Sequence, residues 1–72
     1  MKTLSYEVTD IANNITRTKS YEAVRVMINS NSADKMRENF KKLDDLQVND
    51  TIVMTDNYGS MGGGKVTIER VA

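Results

Sequence analysis

The sequence predicts a small α+β domain of element order ββααββ, on three observations. Segments towards both ends alternate apolar and polar residues with the period of two that a half-buried strand requires. The middle, from Ser20 to Leu46, carries apolar residues at helical spacing behind hydroxyl and amide caps. Asn, Asp, Ser and Gly cluster between these segments, where turns are needed. The 72 residues are enough for one domain, 1–72. A chain so short buries only about 60% of the surface it exposes when unfolded, so its margin of stability is thin.

Taken in order, Thr3–Asp10 reads as the first strand, with Leu4, Tyr6 and Val8 on one face and Ser5, Glu7 and Thr9 on the other. Asn13-Asn14 suits a turn, because asparagine tolerates the left-handed conformation. Ile15–Thr18 returns as the second strand. Arg17 and Lys19 share one side of it, where positive charge discourages pairing with another chain.

Ser20 is placed to cap a first helix over residues 21–28. Its wet face is Glu22, Arg25 and Asn29; Tyr21, Ala23, Val24, Val26, Met27 and Ile28 occupy the rest of the circumference, so it is expected to be mostly buried. A strand competes for the same residues, since Val24, Val26 and Ile28 alternate and are β-branched. That alternative lengthens the second strand and gives ββαββ. Asn29-Ser30-Asn31-Ser32 breaks the helix, and Asn31 or Ser32 caps the next one. Ala33, Met36, Phe40 and Leu43 then form one apolar stripe, with Glu38 and Lys42 paired on the wet side. The stripe is too short for a coiled coil. Asp44-Asp45 is expected in the exit loop as a solvated acidic turn. Val48-Asn49-Asp50 turns the chain into Thr51–Asp56, and Lys65–Val71 is the last strand, with Val66 and Ile68 inward.

Composition removes several function classes. The chain has no cysteine and no histidine, hence no disulfide, no thiolate metal site and no imidazole base. No cofactor or metal is expected, and enzymatic activity is not. Ten basic and ten acidic residues leave no formal net charge, whereas a strong duplex-DNA binder carries a basic excess. No apolar run reaches transmembrane length, and the start MKTLSYEVTD lacks the apolar stretch of a signal peptide, so the expected location is cytoplasmic, with no membrane contact. On that footing the sequons at Asn14 and Asn49 are discounted.

One loop, Asp56–Lys65 (DNYGSMGGGK), looks locally specialised. From Gly59 to Lys65 it fits G-x-x-x-x-G-K, but Val66 stands where a phosphate-binding loop needs Ser or Thr, and a strand follows where that loop needs a helix. Asp56-Asn57 opens like a calcium loop, without the later ligands. Three successive glycines and a length unusual for a hairpin connection suit either a mobile tip folded back on the domain or a contact surface. The contact surface would comprise Tyr58, Gly59, Met61, Gly62, Gly63 and Gly64, with an aromatic ring and a pliable thioether to meet a protein partner.

In general style, a short, neutral, cysteine-free α+β chain without catalytic residues resembles the small accessory proteins that phages and mobile elements encode. The resemblance is one of type and rests on no motif. It implies a non-enzymatic protein-binding module, an inhibitor that blocks a host factor such as a defence nuclease. Two other classes compete. Arg17, Lys19, Lys65 and Arg70 on one sheet face would bind nucleic acid. A self-complementary apolar surface would make a structural protein or a homo-oligomer.

Overall fold

The computed structural model describes residues 4–72. Six elements follow in the order expected from sequence: β1 (Ser5–Asp10), β2 (Ile15–Ser20), α1 (Tyr21–Met27), α2 (Ala33–Asp44), β3 (Thr51–Thr55) and β4 (Lys65–Arg70). The expected start of the first strand at Thr3 lies outside the described residues. Residues 21–27 are helical, so the order is ββααββ and the longer second strand does not occur.

The four strands form one antiparallel sheet in the order β2-β1-β4-β3. The two hairpins therefore join through their inner strands, β1 and β4, and leave β2 and β3 as edges. Both helices lie on one face, giving a body of 30 × 28 × 17 Å, whose shortest dimension is two layers deep.

Alternation decides which face is covered. Tyr6 and Val8 of β1 stand beside Ile68 and Val66 of β4 and Met54 of β3, all buried. Val24, Met27 and Ile28 close over them from α1, and Leu43 and Leu46 from α2 and its exit. The opposite face is open and rich in threonine, where Thr9 and Thr16 share a 2.8 Å hydroxyl bond across β1 and β2.

The helices start where the caps put them. The Ser20 Oγ accepts from the Ala23 N–H at 3.2 Å, and the Ser32 Oγ from the Lys35 N–H at 3.4 Å. The left-handed Asn14, at φ 54°, turns β1 into β2. Glu38 and Lys42 pair at 3.3 Å as their spacing requires.

Three expectations are corrected. The first helix does not bury every residue outside its wet face: Val26 is 49% exposed, while Val24, Met27 and Ile28 are buried and Tyr21 packs against the core. In the second, the stripe holds at Leu43, which is buried, and at Phe40, which packs on the core edge; Met36 is half-buried and Ala33 is exposed. Asp44 belongs to α2 and accepts a hydrogen bond from the Tyr21 hydroxyl, while Asp45 caps the helix and meets Lys41 at 3.4 Å. Between the helices, the Arg25 guanidinium lies 4.2 Å from the Phe40 ring centroid and 5.6 Å from that of Tyr21.

Ile68→Ala removes a fully buried side chain from the central strand and should cost about 2–5 kcal/mol. In a domain of this size that lowers the melting temperature by roughly ten degrees or more. Val53→Ala, on the open face, should leave it nearly unchanged. Equal losses in thermal denaturation of the two variants would contradict the one-sided core.

Candidate functional site

One end of the molecule gathers the specialised residues. The connection between β3 and β4, residues 56–64, arrives there beside the β1–β2 turn and the C-terminal end of α1. Asp56 organises it. Its side chain sits at the inner end of β3 and is 1% exposed. Oδ1 accepts from the N–H groups of Gly59 at 2.9 Å and Ser60 at 3.2 Å. Oδ2 accepts from those of Met61 and, at 3.2 Å, Gly63. Four amides converge on one carboxylate, a concave nest of backbone donors closed by a residue of the same loop.

The glycines make that convergence possible. Gly59 has φ of 88°, and Gly62 and Gly63 have 102° and 82°, values that side-chain-bearing residues rarely adopt. The backbone turns back twice within a few residues, and the Asp56 N–H closes the base on the Gly64 carbonyl at 2.9 Å. The glycines fold the loop back on the domain. Burial alone would raise the Asp56 pKa, but the four amide bonds outweigh it and hold the carboxyl below its usual value.

The loop is also tied to the first helix. Asn57 and Tyr58 donate their N–H groups to the Met27 carbonyl, at 2.9 and 3.2 Å, and the Asn39 amide donates to the Ile28 carbonyl at 3.2 Å. These partners satisfy carbonyls that the end of a helix leaves open. Met61 plugs the loop into the core at 6% exposure.

Of the expected contact residues, Tyr58 is 71% exposed, whereas the Met61 side chain faces inward and is not presented at the surface. Gly59, Gly62 and Gly63 lie exposed around the loop, and Gly64 is half-buried at its base. Two grooves flank the loop. One, of about 230 Å³, lies between Asp10, Asn13, Ile15 and Arg17 on the hairpin side and Met61 and Gly62 on the other. The second, of about 160 Å³, lies between Tyr58, Asn57, Val26 and the residues Asn29, Ser30 and Asn31. Ile11 and Ile15, about half exposed, extend this end along the β1–β2 turn.

The four cations expected on one sheet face do not share it. Lys19 and Arg70 both stand opposite Tyr6, and Arg17 opposite Val8, on the helix-covered side. Lys65 stands opposite Thr55 on the open side, one odd step out of phase. Arg70 is engaged, donating to the Leu46 carbonyl at 2.8 Å and the Ala72 carbonyl at 3.0 Å.

Two buried carboxylates escape a reading by sequence alone. Asp10 continues the inward face of β1 and accepts from the Ala12 N–H at 3.1 Å and the Asn13 amide at 2.7 Å, fixing the hairpin turn. Asp56 continues the inward face of β3. An Asp closing an alternating strand just before turn residues carries a usable signal, since its short side chain bonds amides a few residues on.

No family model matches the chain, and no curated protein or solved structure matches it. Among the described residues no helix is long and apolar enough to cross a membrane.

Asp56→Asn replaces one acceptor oxygen by a donor that faces amide N–H groups. It should cost about 1–3 kcal/mol at neutral pH. A carboxyl whose pKa is depressed on folding contributes stability that is complete above its unfolded value, about 3.9, and is lost as pH falls through the lower folded value. Melting curves taken from neutral to acid pH should therefore show a steeper acid loss in the parent protein than in Asp56→Asn. Parallel pH profiles would show that the carboxylate's charge does not matter.

Proposed function

We infer that the protein is a non-enzymatic protein-binding module whose contact surface is the glycine-loop end. One observation carries the reading: Tyr58, a large and mostly exposed aromatic, stands on a loop whose backbone is locked by the Asp56 carboxylate and by α1. Binding sites concentrate their energy in a few aromatic anchors, and a preorganised anchor loses little entropy on association. Val26 adds apolar area beside the ring, while Asn29, Ser30 and Asn31 supply the polar rim that such surfaces carry. Ile11 and Ile15 widen the patch on the far side of the loop.

The mode of action that suits this arrangement is occlusion. A module this small, presenting one firm protrusion between two grooves, inhibits by covering a functional surface of its partner. A phage or mobile-element accessory protein that blocks a host factor, such as a defence nuclease, is the biological setting proposed for it. The dispersal of Arg17, Lys19, Lys65 and Arg70 over two faces weighs against the nucleic-acid alternative in its original form.

A tagged pull-down from lysate, with and without nuclease and at two salt concentrations, tests the reading. The expected result is a stoichiometric protein that survives nuclease and moderate salt and is lost with Tyr58→Ala. That variant should melt within a degree or two of the parent, because the ring is largely outside the fold. Recovery of nucleic acid alone, or a partner indifferent to Tyr58→Ala, would overturn it.

A further inference from the structure

The two edges of the sheet are not equivalent. In the β3–β4 ladder, the Asp56 N–H donates to the Gly64 carbonyl at 2.9 Å and the Arg70 N–H to the Asp50 carbonyl at 3.1 Å. Antiparallel pairing alternates, so Ile52 and Met54 bond to β4, while the N–H and C=O groups of Thr51, Val53 and Thr55 point away from the sheet. This free edge faces a groove of about 300 Å³ whose other wall is α2. Lys35, Asn39 and Lys42, spaced i, i+4 and i+7, line it from the helix, and Lys65 lines it from the start of β4. Among the described residues Lys35 and Lys65 take part in no ion pair, and Lys42 meets only Glu38.

We propose that the β3 edge and the lysines of α2 and β4 form a docking groove for an extended, acidic segment of a protein partner, which adds to the sheet as a fifth strand. Backbone bonds to Thr51, Val53 and Thr55 supply pairing, carboxylates alternating along the helix-side face of the segment meet Lys35 and Lys42, and one on its other face meets Lys65. Edge strands normally carry a device against such pairing. β2 has one, in the inward-facing Arg17 and Lys19, but the groove-facing edge of β3 is flanked by Thr51, Val53 and Thr55.

Charge selects the occupant. A second copy pairing through β3 would bring two sets of the same lysines together and offers no carboxylate from its own β3, whose sequence is TIVMT. A sugar-phosphate backbone would answer the charge but not the alternating donors and acceptors of the strand edge. The groove adjoins the Tyr58 patch, since Ser30 and Asn57 line both. The proposal takes its occupant from the protein-binding reading and rests on it, but its test needs only purified protein, so the two fail separately.

The probes are a soluble peptide alternating glutamate with threonine, its lysine-for-glutamate counterpart, and a short single-stranded oligonucleotide, followed by backbone-amide NMR and hydrogen exchange. The glutamate peptide should shift the amides of Thr51, Val53 and Thr55 and slow their exchange, and the lysine peptide should do neither. Lys35→Glu with Lys42→Glu, both at exposed helix positions, should weaken the glutamate peptide at least about tenfold while the melting temperature holds. Val53→Pro should abolish slowing at the edge, because that N–H is outside the β3–β4 ladder. Equal binding of both peptides, shifts confined to the Tyr58 loop, displacement of the peptide by the oligonucleotide, or concentration-dependent shifts at β3 without peptide would each overturn the proposal.

Discussion

The Asp56 carboxylate is the constraint on which the glycine-loop end depends. A fully buried charge is tolerated only when its oxygens are satisfied, and here four backbone amides of one loop do so. The reverse dependence matters equally. Those amides belong to a glycine-rich segment with little side-chain packing of its own, and without the carboxylate they would be left to water. Charge and loop each supply what the other lacks. Met61 then carries the loop into the core, and Asn57 and Tyr58 tie it to the end of α1. The backbone beneath the exposed Tyr58 ring is thereby held at two points.

What could be read from the sequence was local. Strand alternation at Tyr6 and Val8 and at Val66 and Ile68 placed the core face, because a period of two leaves no freedom once one face is buried. The caps at Ser20 and Ser32 and the turn at Asn14 were legible for the same reason, since each is settled within three or four residues. What escaped was non-local. Met61 fits no alternation, and its burial follows from the path that Asp56 imposes on the loop. Val26 reads as core by its residue type, but at about 100° per residue it lies opposite Val24, Met27 and Ile28, beside Glu22, and stays outside. Lys65 and Arg70 are both cations in one strand, yet their spacing is odd, which sends them to opposite faces.

Polarity is divided between the two faces and the two edges. The open face carries threonines and glutamates, whose β propensity keeps the strands extended without making the face adhesive. Apolar exposure is kept to the loop end, at Ile11, Ile15, Val26 and Tyr58, with single residues elsewhere. Arg25, stacked on Phe40 and close to Tyr21, clamps α1 to α2 from outside the core. That contact helps explain how a helix only partly packed on the sheet stays in place.

The strand order 2-1-4-3 sets the timetable of folding. β1 precedes β4 by the two helices and two other strands, yet β4 is its partner on one side. Until β4 arrives, the β1–β2 hairpin has an unpaired inner edge, and Val8 lacks Ile68 beside it. The hairpins β1–β2 and β3–β4 are local in sequence, but the sheet that joins them is not. Its centre closes in a late step joining segments some sixty residues apart in sequence, with a slow search for contacts of high sequence separation as its cost.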